Sequence, residues 1–336
     1  MERPDGANQG KEFANCSGGP DMSPGYDKPL YLLPFDHRHS YVAGLFNFKP
    51  PLSAPQREQV IDSKLLIFEG FRQALSDGVP VEAAGILVDE EFGARILSDA
   101  HRMGFVTALS VEQSGVDEFQ FEYGADFASH IEAFDPSFAK VLVRYNPEGD
   151  KALNLRQVSR LKRLSDYCQR SRRRFMFELL VPPTADQLAR SAGDKDAFDQ
   201  QMRPALMQQV VQALQAAGIE PDVWKIEGLD ARDDCERIVR IARRDGRDRV
   251  GCIVLGRGAD EARVRSWIVN AASVEGFIGF AVGRTTFWDA VAGWEAQTLT
   301  RAEAVKKIAA RLREWVDTFE TARLANASDT LIGAEP

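Results

Sequence analysis

A lysine and a glutamate stand two residues apart in the apolar run "PDVWKIEGLD" (221–230), so Lys225 and Glu227 share one face of a short strand that also carries Val223, Trp224 and Ile226. An amine buried in a strand costs free energy unless it is paired or neutralised. Two readings are open: a structural ion pair with Glu227 or Glu178, or an amine nucleophile. Desolvation and neighbouring cations favour the neutral form of a lysine, and Lys140 and Arg144 are candidate neighbours. A neutral amine attacks a ketone to form a Schiff base, whose iminium is an electron sink for breaking the adjacent carbon–carbon bond. Glu178 lies in "FMFELL", between Phe177 and Leu179. A carboxyl in apolar surroundings is expected to have a raised pKa and to move protons; neutralising Lys225 is the alternative, and the two roles are compatible.

A second group of residues points to anion binding. Arg257 in "VLGRGAD" and Arg284 in "AVGRTTFW" each follow an apolar run, and Gly256, Gly258 and Gly283 beside them let backbone N–H groups approach an anion. Arginine adds a bidentate clamp; tight turns with surface arginines are the alternative. Asp36, Arg38, Asp89 and Glu112 also close apolar runs, where they bind substrate hydroxyls, act as acids or form an ion-pair belt. The pair His37-x-His39 has the spacing of a metal pair, but the only other histidines, His101 and His130, do not follow later runs, so no metal and no cofactor is expected. Magnesium held by carboxylates stays open.

The elements that must position these residues alternate along the chain. Eight short runs rich in Val, Ile and Phe (30–35, 84–89, 105–112, 139–145, 174–180, 222–228, 250–256 and 276–283) read as buried parallel strands. Segments such as "QREQVIDSKLLIFEGFRQALSDG" between them carry apolar residues at three-to-four spacing and end on glycine, as helices do. Strand–helix alternation implies a parallel sheet, and eight such units predict a closed (β/α)8 barrel in a single domain. No GxGxxG follows the first run, which disfavours an open doubly wound sheet. Barrel active sites lie at the carboxyl ends of the strands, and the loops after the last two commonly bind phosphate. The charged residues above fall at those ends, converging on one mouth.

The barrel is expected over 29–322, between disordered tails at 1–28 and 323–336. A net charge of −8 gives no sign of nucleic-acid binding, and the run "QRSRRRF" (169–175) reads as a solvated helix end. The scattered cysteines, Cys16, Cys168, Cys235 and Cys252, form no CxxC pair and read as free thiols of a reducing cytoplasm. No apolar run approaches the ~20 residues of a membrane span, and the amino terminus has no apolar signal core.

The runs "LPFDHR", "ILVDEEFG", "DEFQFEYGADF", "KVLVRYNPEGD", "FMFELLVPPT", "EPDVWKIEGLD", "VGCIVLGRGAD" and "GFIGFAVGRTTFW" resemble the domain fused behind the sugar kinase in bacterial 5-dehydro-2-deoxygluconokinases of myo-inositol catabolism. That domain is similar to the class I, Schiff-base aldolases typified by tagatose-bisphosphate aldolase. The resemblance covers about residues 30–320. It implies cleavage of 5-dehydro-2-deoxygluconate 6-phosphate to dihydroxyacetone phosphate and malonate semialdehyde. By position it makes Lys225 the Schiff-base lysine, Glu178 the acid/base, Lys140 the lysine deep in the fourth strand and Asp36 the aspartate closing the first. Gly283 and Arg284 match the phosphate clamp, with 256–258 assisting; Arg144, Arg38, Asp89, Glu112 and Glu227 complete the expected substrate-binding set. Two positions depart from the family pattern: His39 replaces an expected glycine, and Gln113 an expected lysine. No kinase domain precedes the barrel in this sequence, so a separate sugar kinase is the expected functional link. The implied partner is a phosphorylated sugar acid, with no nucleic acid or membrane, and a homo-oligomer is expected. An aldolase for another phosphorylated ketose, or a non-catalytic barrel bound to a sugar kinase, are the rival readings.

Overall fold

The computed structural model describes residues 24–332, with side chains to residue 326. Eight strands close into a barrel in chain order: β1 (Leu30–Pro34), β2 (Ala84–Val88), β3 (Val106–Ser110), β4 (Phe138–Arg144), β5 (Arg174–Leu180), β6 (Val223–Glu227), β7 (Gly251–Leu255) and β8 (Phe277–Ala281). All neighbours are parallel, and β1 closes on β8 with Leu30 opposite Gly279. The eight expected runs coincide with these strands, so the (β/α)8 fold stands as read from sequence. Helices follow the strands and cover the sheet; the segment between β1 and β2 forms the helix Ala54–Ser76, capped by Ser53 and Gln56 in a reciprocal box.

Strand alternation sorts the side chains into two cores. Outward residues such as Val141, Phe177, Trp224 and Ile226 pack under the helices. Inward residues Leu30, Leu32, Leu87, Phe138, Met176, Val223 and Ile253 fill one end of the barrel with hydrocarbon. One pleat further along, the same inward faces carry Ser110, Lys140, Glu178 and Lys225, all buried. The barrel therefore has an apolar floor and a charged layer above it.

Residues 1–23 and 333–336 of the expected tails lie outside the described residues. Part of the expected amino-terminal tail packs at the barrel floor: Tyr26 is buried edge-on against Phe138 at 5.1 Å, and the Gly25 N–H donates to Asp222 at 2.8 Å. At the other end the helix Arg301–Ile332 continues past the boundary expected at 322. Cys168, Cys235 and Cys252 are free and buried; Cys16 is not among the described residues. No described helix is long and apolar enough to cross a membrane.

Candidate active site

A cavity of about 440 Å³ opens at the carboxyl ends of the strands, with Asp36, Glu112, Glu178 and Lys225 in its wall. Lys140 lies beneath it, with its side chain 1 % exposed. Its Nζ contacts Asp36 Oδ2 at 2.7 Å, Glu112 Oε1 at 2.7 Å and Glu178 Oε2 at 2.9 Å. Burial alone depresses the Lys140 pKa, but the three carboxylates more than offset it and hold the pKa well above the ordinary lysine value. Lys140 is thus an ammonium fixed at the centre of a carboxylate triangle.

Lys225 has a different environment. Among the described residues its Nζ contacts a single carboxylate, Glu178 Oε1 at 2.6 Å, and it is 4 % exposed in the cavity wall. Glu178 bridges the two lysines, because Glu178 on β5 stands opposite Lys225 on β6 in register.

The raised pKa expected for Glu178 is not what the structure gives. Burial pushes it up, but Lys140 and Lys225 outweigh burial and hold it below the ordinary glutamate value. Phe177 and Leu179, which prompted the expectation, point the other way, into the outer core. Burial also raises Asp36, yet Lys140, His37 and Lys225 hold it far below the usual carboxylate range. Glu112 goes in the opposite direction: burial raises its pKa, and Asp36 adds to that against the pull of Lys140 and Arg38.

At the β8 end, Gly283 and Arg284 open the helix Arg284–Glu295 and line the cavity with Gly256, Arg257 and Gly258. A Cβ on Gly283 would lie 2.3 Å from the Pro34 carbonyl oxygen, so only glycine fits against β1 there. Arg284 is exposed and donates to the Arg257 carbonyl at 3.3 Å. Arg257 is more committed: it contacts Asp199 at 2.5 Å and Glu227 at 2.9 Å.

Glu227 shares the face of Lys225 but does not line the cavity. Its Oε2 accepts from the Val181 N–H at 2.8 Å, and Arg203 lies 3.6 Å away. Asp89 is likewise not in the wall. It is fully buried, caps the helix Glu90–Arg102 through the Phe92 N–H at 2.8 Å, and is paired with Lys64. Arg38 does line the wall, held by Glu122 at 2.6 Å and by the Glu112 carbonyl. Arg144, half-buried across the mouth from Arg284, also lines it and donates to the Val116 carbonyl at 3.2 Å. His37 is half-buried in the same wall; desolvation lowers its pKa to about 4 against the attraction of Asp36, and its Nδ1 has no hydrogen-bond partner among the described residues. No cluster of three His, Cys, Asp or Glu side chains arranged for a metal ion occurs among the described residues.

Sequence reading missed Lys64, Arg203, Asp199 and Ser110. Lys64 carried a usable signal: Val60, Lys64, Ile67 and Phe71 follow the helical period of the buried face. Arg203 and Asp199 are four residues apart and contact at 3.1 Å, but nothing nearby in the sequence distinguishes them from a surface pair.

The family described as "Uncharacterized protein conserved in bacteria (DUF2090)" matches residues 24–323. No curated protein matches the chain. Among solved structures, Cgl0159 of Corynebacterium glutamicum superposes with a TM-score of 0.52 at 16 % identity, covering 87 % of this chain and 88 % of its own. Fructose-bisphosphate aldolase of Plasmodium falciparum gives 0.55 at 14 %, covering 89 % and 92 %. Fructose-bisphosphate aldolase of Slackia heliotrinireducens gives 0.51 at 12 %, covering 83 % and 85 %. At these identities the likeness is one of fold.

Proposed function

The chain belongs to the DUF2090 family, and we propose that it is a class I, Schiff-base aldolase acting on a phosphorylated keto-sugar acid. One observation carries the reading: Lys225 stands in the wall of the barrel mouth, 2.6 Å from Glu178, while a second lysine supplies the permanent charge next to it. Passage of the Lys225 proton to Glu178 leaves a neutral amine and a carboxylic acid. The amine attacks the ketone, and the acid protonates the carbinolamine hydroxyl, which leaves as water to give the iminium. Lys140 stays protonated throughout and keeps the remaining carboxylates compensated.

Arg284 and the amino terminus of its helix would hold a phosphate, which orients the chain and lowers the entropic part of the barrier. Arg144, on β4 and so across the eight-stranded ring from β8, would meet a second anionic group. Two anionic ends agree with 5-dehydro-2-deoxygluconate 6-phosphate, cleaved to dihydroxyacetone phosphate and malonate semialdehyde, as the substrate. The fold shared with two fructose-bisphosphate aldolases supports the reaction class.

Borohydride reduction in the presence of dihydroxyacetone phosphate tests the reading. A covalent mass increment at Lys225, absent in Lys225→Met, is expected. A protein that gains no mass and loses cleavage activity on EDTA treatment would sink the Schiff-base mechanism.

A further inference from the structure

Cleavage of a ketol needs a second proton transfer, distinct from those that make the iminium. The hydroxyl on the far carbon of the breaking bond must lose its proton. The wall of the cavity offers Asp36, Glu112 and Glu178 for it. Glu178 has both oxygens on lysines, at 2.6 and 2.9 Å. Asp36 holds Lys140 at 2.7 Å and lies beside His37 and Lys225, which leaves it a poor proton acceptor. Glu112 uses one oxygen for Lys140, at 2.7 Å, while its Oε2 is buried with no hydrogen-bond partner among the described residues. A buried acceptor left unpaired costs free energy, and a group that fills it in the complex recovers that cost.

We propose that Glu112 is the base that takes the substrate hydroxyl proton during carbon–carbon cleavage. The inference rests on the Schiff-base reading above. The O–H proton moves to the Glu112 carboxylate, and the O–H electron pair becomes the carbonyl of the leaving aldehyde. The carbon–carbon bond breaks, and its pair runs into the iminium, giving the neutral enamine on Lys225. The proton on Glu112 returns to solvent after the aldehyde leaves. The raised pKa of Glu112, set by burial and by Asp36, suits this work better than the lowered pKa of its two neighbours. Its backbone is fixed for the task. The carbonyl accepts from Arg38, the residue bridges Phe121, and the next N–H, of Gln113, donates to Gln120 at 2.8 Å.

The experiment separates cleavage from enamine chemistry. Glu112→Gln keeps the side-chain shape and an oxygen for Lys140. Three quantities are measured: borohydride-trapped mass at Lys225 with dihydroxyacetone phosphate, deuterium uptake by dihydroxyacetone phosphate in D2O, and cleavage of 5-dehydro-2-deoxygluconate 6-phosphate. Trapping and exchange should stay near wild type, while cleavage falls by about 10² to 10⁴-fold. Glu112→Asp, which keeps the charge but withdraws it, should show the same split and decides the matter if Glu112→Gln does not fold. Cleavage within about tenfold of wild type overturns the assignment. So does a parallel loss of exchange and cleavage, because the substitution then acts through Lys140. A wild type that traps and exchanges but cleaves neither this acid nor fructose or tagatose bisphosphate overturns it too. A wild type that traps no adduct instead defeats the Schiff-base reading itself.

Discussion

Replacing Lys140 by methionine tests the charged layer directly. The side chain is 1 % exposed and its ammonium meets three carboxylates, at 2.7, 2.7 and 2.9 Å. Methionine fills the space but strands Asp36 and Glu112, while Glu178 keeps its contact with Lys225. Removing one partner from a buried ion pair costs about 3–5 kcal/mol. At roughly 2 °C per kcal/mol for a chain of this length, the melting temperature should fall by about 6–10 °C. The pH dependence has a definite sign. Burial raises the Asp36 and Glu178 pKa values, but Lys140 and its neighbours bring both below their ordinary values in the wild type. Their ionised forms therefore stabilise the fold above the unfolded carboxylate range, and that contribution is lost as pH falls through the folded values. The raised Lys140 pKa contributes stability below the ordinary lysine range and loses it only in strong alkali. Without Lys140, burial dominates, the carboxyls protonate at higher pH, and protonation relieves the repulsion. The deficit should thus be largest near about pH 8 and shrink toward about pH 5. Urea unfolding of both proteins at the two pH values measures it. Adding Glu112→Gln to Lys140→Met removes one stranded charge and should recover part of the loss, which a double-mutant cycle reads as coupling. A deficit under about 1 kcal/mol near about pH 8, or one equal at both pH values, would refute the argument.

Three further outcomes follow from the same geometry. Arg284→Ala should raise KM for a phosphorylated ketose by roughly tenfold to a hundredfold, from loss of a charge-assisted contact of about 1.5–3 kcal/mol, with little change in borohydride trapping at saturation; steady-state kinetics check it. Lys64→Met should destabilise the fold by about 3–5 kcal/mol, because Asp89 is fully buried and loses its ion pair; thermal unfolding reads it. Glu227→Gln should cost about 1–3 kcal/mol of stability while leaving trapping at Lys225 intact, since Glu227 is occupied by Val181, Arg203 and Arg257; a cleavage loss of about 10²-fold or more without a stability change would instead make it a proton carrier.

The strands were legible because a parallel barrel buries both faces, and continuous apolar runs between amphipathic helices have few other uses. The carboxyl ends were legible too, since charged residues gather at one end of each run, and that placement brought Asp36, Glu112, Glu178 and Lys225 into one cavity. What local sequence does not contain is the occupancy of each charge. Asp89 ends β2 in the same way that Asp36 follows β1, yet the chain turns into a helix after it and Lys64 reaches it from the helix before β2. Glu227 sits on the face of Lys225, but its carboxylate is claimed by an N–H and two arginines from other segments. The Glu178 error has another origin: neighbours in a strand sequence face opposite ways, so Phe177 and Leu179 describe the outer core and say nothing of the environment of Glu178.

The two lysines of the barrel show why burial alone is a weak guide to reactivity. Lys140 and Lys225 are both almost fully buried, at 1 % and 4 % side-chain exposure, and both stand on inward positions of parallel strands. They differ in the number of carboxylates in contact among the described residues, three for Lys140 and one for Lys225. Three anions bind the proton of one ammonium so firmly that it cannot serve as a nucleophile. In the proposed mechanism the one carboxylate beside Lys225, itself shared with that ammonium, takes the proton of Lys225 and hands it on. On the proposed mechanism Lys140 is a condition for the chemistry of Lys225: by holding the far oxygen of Glu178, it leaves the near oxygen as the sole carboxylate contact of Lys225 among the described residues, in the cavity wall.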